Sequence, residues 1–210
     1  MFVPHLLSST MTDPFFHLSY YDVSTKLYNK GLADVCYVFM WVVSLTFLRA
    51  SLIDWVFVPL ARNGGVTSKK SLMRISEQAW MFTYFLVAWT VEMVLLVRSP
   101  YWLDTYHLWT DWPVQQLDAT FKRYYLIQTA VWIQTLYTIN IEARRKDHNQ
   151  MFTHHIVTIT LLVTSYIYHF TRVGHAIMCL MDLGDILLPV RCAFLHKLTL
   201  ACQDVEVLQI

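Results

Sequence analysis

The sequence predicts an all-α fold, a polytopic transmembrane helical bundle of about five spans, and three observations carry that expectation. Hydrophobic residues make up 56% of the chain and aromatic residues 15%, and the mean hydropathy of +0.39 exceeds that of an ordinary soluble domain. Apolar stretches long enough to span a bilayer, ~20 residues each, recur with short polar connections between them. Ionisable side chains stand inside several of these stretches, where they are costly and therefore informative. The net charge of +1 gives no footprint for nucleic acid and no polybasic surface anchor.

Residues 1–33 read as an N-terminal luminal tail. Met1 to Thr10 is apolar but lacks a basic leading region and a small-residue cleavage site, so the first span is expected to be an uncleaved anchor. That span covers residues 34–60 and holds Arg49 and Asp54. A polar connection with Asn63, Gly64, Gly65, Lys69 and Lys70 follows. The second span runs from Ala79 to Val97, with Glu92 inside it. Arg98 to Thr120 is rich in Trp, Tyr, Asp and Pro, a mixture suited to headgroup depth, and reads as an interfacial loop.

The third span is expected at Tyr124–Ile141, the fourth at Met151–Phe170 and the fifth at Val173–Val190, with the remainder to Ile210 starting a sixth. Cys36, Cys179, Cys192 and Cys202 fall in or beside these apolar segments without the paired spacing of zinc sites or disulfide frameworks, and read as packing residues. Basic residues set the orientation. Nine of them (Arg62, Lys69, Lys70, Arg74, Arg144, Arg145, Lys146, Arg191, Lys197) fall on one side of the alternation and six (Lys26, Lys30, Arg98, Lys122, Arg123, Arg172) on the other. The N-terminus is therefore expected in the lumen and the Arg144 cluster in the cytosol.

Chemistry concentrates around the fourth and fifth spans. Asp147 with Gln150 three places later fits a helix N-cap and its reciprocal partner, which starts the fourth helix beside Arg144, Arg145 and Lys146. His154 and His155 lie about two turns in and point about 100° apart, so they cannot share one role. In the fifth span Asp182 and Asp185 are three apart and share a helical face. Each charged Asp at a helix centre costs ~2.5–3.5 kcal/mol, which calls for partners, and the histidines are the expected ones. A His and Asp array inside a bundle serves proton transfer to or from a substrate amine.

A bland reading stands beside each feature. A histidine pair at an interface also serves as a hydrogen-bonded packing element, and the Arg144 cluster reads equally as a topology signal or as a seat for cofactor phosphates. Arg49 and Glu92 read as residues that close intramembrane ion pairs or snorkel, with no catalytic role. No two histidines are three or four apart, so no metal is expected. The same spacing argues against a di-iron desaturase or hydroxylase.

Arg144-Arg145-Lys146-Asp147-His148, Met151, Thr153-His154-His155, Thr158, Ser165-Tyr166, Arg172-Val173-Gly174 and Met181-Asp182-Leu183-Gly184-Asp185 resemble the Lag1 motif of ceramide synthases. Ser71 through Trp80, Tyr125 and Gln128 are also similar to the TRAM-LAG-CLN8 (TLC) domain that carries it. The likeness covers about two thirds of the chain: a TLC domain over residues 71–210, incomplete at its C-terminal end, with the Lag1 motif over about 142–190. Met181 before Asp182 resembles the fungal branch.

The resemblance implies an endoplasmic reticulum, multi-pass enzyme that joins acyl-CoA to sphinganine or phytosphinganine. It implies His154, His155, Asp182 and Asp185 as the catalytic set and no cofactor beyond acyl-CoA as co-substrate. A histidine would take the amine proton or itself accept the acyl group, and the aspartates would orient the imidazole and hold the amine. Arg144, Arg145 and Lys146 would meet the CoA phosphates. Because such proteins normally continue past the paired aspartates, a shortened member is expected that is weak alone or assembles with other ceramide synthase subunits. Two alternatives remain open: a non-catalytic lipid-binding or regulatory subunit, and a specialised copy that protects against sphinganine-like toxins.

Overall fold

The computed structural model of the chain describes residues 13–110, 112–142 and 148–187. Helix dominates these residues. A short helix α1 (Asp13–Phe16) leads into a hairpin of two strands, β1 (Tyr21–Asp22) and β2 (Leu27–Tyr28), paired antiparallel with Tyr21 opposite Tyr28 and Asp22 opposite Leu27. Then come helices α2 (Asp34–Leu52), α3 (Val58–Asn63), α4 (Lys69–Val97), α5 (Ala119–Ile141) and α6 (His148–Ile167). A further helix, α7, is described over 171–187.

The expected first span is a continuous helix with one adjustment in register. Between α2 and α3 the residues Ile53–Phe57 form a π turn, and the Val58 N–H donates to Ile53 O, five residues back. Pro59 stands in the first turn of α3, and the widened turn just before it accommodates a ring that would otherwise press on a carbonyl of the preceding turn. The helix stops at Gly64 and Gly65. Gly64 N–H donates to Leu60 O at 3.0 Å, and Gly65 adopts a φ of 89° that favours glycine.

Among the described residues, two helices are long and apolar enough to cross a membrane, Asp34–Asn63 and Lys69–Val97. The second therefore starts ten residues before the expected Ala79, because Lys69 to Gln78 has good helix formers and no breaker. Apolar side chains face outward along both helices, Phe39, Phe47, Trp55 and Val87 among them, as a lipid-facing surface requires. Helix α5 is different. It buries Lys122, Gln128, Thr129 and Gln134 together with Tyr125, Ala130 and Trp132, so the expected third span is a central packing helix. Helix α6 ends at Ile167, three residues short of the expected Phe170, where His169 takes a φ of 62° and turns the chain towards α7.

The described residues fall into two compact units, taken from Met1–Phe47 with Pro100–His175 and from Leu48–Ser99 with Ala176–Ile210. In the first unit a buried ion pair ties distant segments together. The Lys122 ammonium lies 2.8 Å from the Asp34 carboxylate and also donates to Ser19 O at 2.9 Å and Asn29 O at 2.7 Å. Three N–H groups thus meet three oxygens. Asp34 in turn accepts from the Tyr166 hydroxyl at 2.7 Å and from Gly31 N–H at 3.0 Å. Such satisfaction lets a charge pair survive burial.

The expected interfacial loop is held from beneath and exposes its aromatic residues. Arg172 donates to His107 O at 2.8 Å, Thr110 O at 3.2 Å and Thr110 Oγ1 at 2.8 Å. Tyr101 and His175 share a hydrogen bond of 2.9 Å, and the Trp112 ring stacks on Phe170. Trp102, Leu103, Tyr106 and Trp109 remain exposed. Nearby, Gly174 sits where a side chain would not fit: an added Cβ would lie 2.6 Å from the Tyr125 hydroxyl and 2.9 Å from Ser165 Oγ. Those two hydroxyls are themselves hydrogen-bonded.

Candidate active site

His154 and His155 stand on α6, within the first unit. Their surroundings differ as the 100° between neighbours on a helix requires. His155 is 4% exposed and its Nδ1 takes no hydrogen bond, whereas His154 is half-buried. The two rings lie 5.6 Å apart. Trp132 of α5 packs against both, its ring centre 5.9 Å from that of His154 and 5.3 Å from that of His155.

The aspartates stand on α7, in the part that belongs to the second unit. Asp182 is fully buried and Asp185 half-buried, so the shared face carries two different environments. Cys179, one turn before Asp182, fixes this stretch against α4. Its carbonyl accepts from Trp89 Nε1 at 3.2 Å, and its Sγ lies 3.2 Å from Met93 Sδ. Beside Met93, Glu92 is also fully buried. The charges of Glu92 and Asp182 both act on the Cys179 thiol and the Tyr84 phenol. Snorkelling is therefore not what Glu92 does, because its carboxylate has no solvent to reach.

The two histidines are thus brought together around Trp132, and Asp182 is brought together with Glu92. Arg144, Arg145, Lys146 and the expected cap Asp147 lie outside the described residues. Trp132 and Glu92 were not legible as site residues from the sequence. The available signal for Trp132 was position: Tyr125, Gln128 and Trp132 recur at helical spacing on α5, and all three are buried there. For Glu92 the signal was an acid in the middle of an otherwise apolar span.

The TLC domain matches residues 74–201. The chain belongs to the TLC-domain family. Relatives of this TLC protein include ceramide synthase FUM18 of Gibberella moniliformis, 42% identical over 178 residues, which are 85% of this chain and 42% of the relative. A sphingosine N-acyltransferase-like protein, ALT7 of Alternaria alternata, is 41% identical over 81% of this chain and 39% of its own length. Sphingosine N-acyltransferase lag1 of Schizosaccharomyces pombe is 40% identical over 84% of this chain and 45% of its own length. The resemblance to ceramide synthases drawn from the Lag1-like motif is thus shared by named relatives. The TLC chain spans less than half the length of each of them.

Proposed function

We propose that this TLC protein carries out the acyl transfer of a ceramide synthase, forming an amide between the acyl group of acyl-CoA and the amine of a sphingoid base. The observation that carries the reading is the unequal histidine pair, one imidazole enclosed and one open to a visitor, in a chain whose relatives are named for this transfer. A sphingoid base arrives as an ammonium, and only after losing a proton can its nitrogen attack the thioester carbonyl. His154 is the accessible base of the pair. Either it takes that proton directly, or it first accepts the acyl group and passes it to the amine; in both routes the C–S bond breaks, the C–N bond forms and CoA leaves as its thiol.

Asp182 and Asp185 are proposed to hold the substrate amine, whose ammonium form a carboxylate favours. Arg144, Arg145 and Lys146 would meet the CoA phosphates from the cytosolic side. The setting is a multi-pass protein of the endoplasmic reticulum membrane, with about five spans and a luminal N-terminus, that assembles with a second ceramide synthase subunit. Microsomes containing the 210-residue chain, alone and with a full-length relative, test the reading when given sphinganine and a panel of acyl-CoAs. Amide formation that requires the chain, and that His154→Ala abolishes while the protein stays in the membrane, is expected. Product formation unaffected by either His154→Ala or His155→Ala would sink the assignment.

A further inference from the structure

His154 and His155 leave α6 in directions about 100° apart, yet one side chain of α5 meets both. The Trp132 ring stands edge to face with His154 at 71° and tilted at 52° to His155, with centres 5.9 and 5.3 Å away. The imidazoles are 5.6 Å from each other, so the three rings form a nearly equilateral cluster in which the indole packs against both imidazoles. Trp132 is 1% exposed, so packing on all sides holds the indole still. A reacting imidazole is commonly aimed by a hydrogen bond to its second nitrogen. The Nδ1 of His155 has no such bond, and the Trp132 ring packs directly against that imidazole.

We propose that Trp132 is a positioning residue whose indole, packed against both imidazoles, keeps His155 enclosed and turns His154 outward. The role in catalysis rests on the acyl-transfer reading above; the role in presentation does not. A leucine-sized residue would leave a void into which either imidazole could rotate, so a flat ring is what the position requires.

The test uses the full chain in membranes, as wild type, Trp132→Ala and Trp132→Phe, treated with diethyl pyrocarbonate, which ethoxycarbonylates neutral imidazole nitrogen. Peptide mass spectrometry then reads the rate at each histidine. In the wild type His154 is expected to react roughly tenfold faster than His155. In Trp132→Ala that ratio collapses towards one, and in Trp132→Phe most of it returns, while His107, a surface histidine 43% exposed, reacts at its original rate throughout. An unchanged ratio in Trp132→Ala, or a rise at His107 alongside His155, overturns the proposal. Kinetics supply the second arm: kcat for acyl transfer should fall ~10²-fold in Trp132→Ala with KM nearly constant, and recover in Trp132→Phe. A rise in KM at constant kcat would overturn the catalytic part. If the wild type transfers no acyl group while the reactivity ratios behave as expected, the acyl-transfer reading fails and the positioning role stands.

Discussion

In the first unit the buried Lys122 meets Asp34, a charge of opposite sign, whereas in the second unit the buried Glu92 and Asp182 carry the same sign and act on one thiol and one phenol. The first arrangement needs no substrate to make sense. Every N–H of the Lys122 ammonium has an oxygen, and the pair joins the N-terminal hairpin, α2, α5 and α6. The second brings two acids into one buried neighbourhood, with Cys179 and Tyr84 beside both.

The comparison breaks most visibly at Lys122. Lys122→Met leaves Asp34 buried without its cation and should destabilise the protein by about 3–5 kcal/mol, read as loss of folded protein in detergent by thermal melting. Pairing it with Asp34→Leu should recover part of that loss, because it removes the uncompensated charge while Ser19 O, Asn29 O, Gly31 N–H and the Tyr166 hydroxyl still lose their partners. A Lys122→Met protein as stable as wild type would show that the pair is not the clamp the geometry indicates.

Asp182→Asn and Glu92→Gln should do the opposite. Each removes a charge that costs ~2.5–3.5 kcal/mol at membrane depth, so the folded yield should hold or rise. Turnover in the sphinganine assay should nevertheless drop by roughly 10²-fold for Asp182→Asn, with a smaller fall for Glu92→Gln. Normal turnover combined with a loss of folded protein would place Asp182 in the same structural class as Lys122.

What the sequence made legible follows from the range of the interactions involved. Helical stretches, the adjacent histidines and the three-residue spacing of Asp182 and Asp185 are local patterns, and α2, α5, α6 and α7 fall close to where those patterns predict, while α4 starts earlier. The Asp34 to Lys122 pair joins the hairpin end of α2 to the start of α5 and has no local signature. The strands were also missed, since two-residue strands show no alternation and are held by Tyr28 pairing with Leu117 far along the chain. The burial of α5 escaped because an apolar run reads alike whether lipid or protein surrounds it. That Glu92 does not snorkel is not legible either, because its burial depends on which face α4 turns inward.

A smaller effect is expected at Gly174. An alanine there would place a methyl group against the bonded Tyr125 and Ser165 hydroxyls, and overpacking of this kind costs about 1–3 kcal/mol. Gly174→Ala should lower the melting temperature, and Gly174→Ala combined with Ser165→Ala should restore part of it by removing one of the two hydroxyls and freeing the other to move. No recovery in the double variant would mean that the Tyr125 hydroxyl, the nearer of the two at 2.6 Å, sets the limit.

Within the first unit two lysines differ in their company. Lys122 is fully paired. The Lys30 ammonium, outside the membrane-spanning helices, has no hydrogen-bond partner and lies 5.2 Å from the centre of the Tyr166 ring. Burial, and after it the charge of Lys122, pushes its pKa down from 10.5 to about 8. Between pH 8 and 10.5 the folded protein therefore holds fewer protons at this site than the unfolded chain does. Stability must rise with pH across that window, and the penalty of the buried charge is fully present below pH 8. Lys30→Met keeps the stem against Tyr166 and removes the charge, so it should raise the melting temperature at pH 7 and change it little at pH 10. Other groups titrate in the same range, so the difference between wild type and variant at each pH is the quantity to follow. A difference that stays constant from pH 7 to 10 would show that Lys30 keeps its proton in the folded state and that the Tyr166 ring compensates its charge.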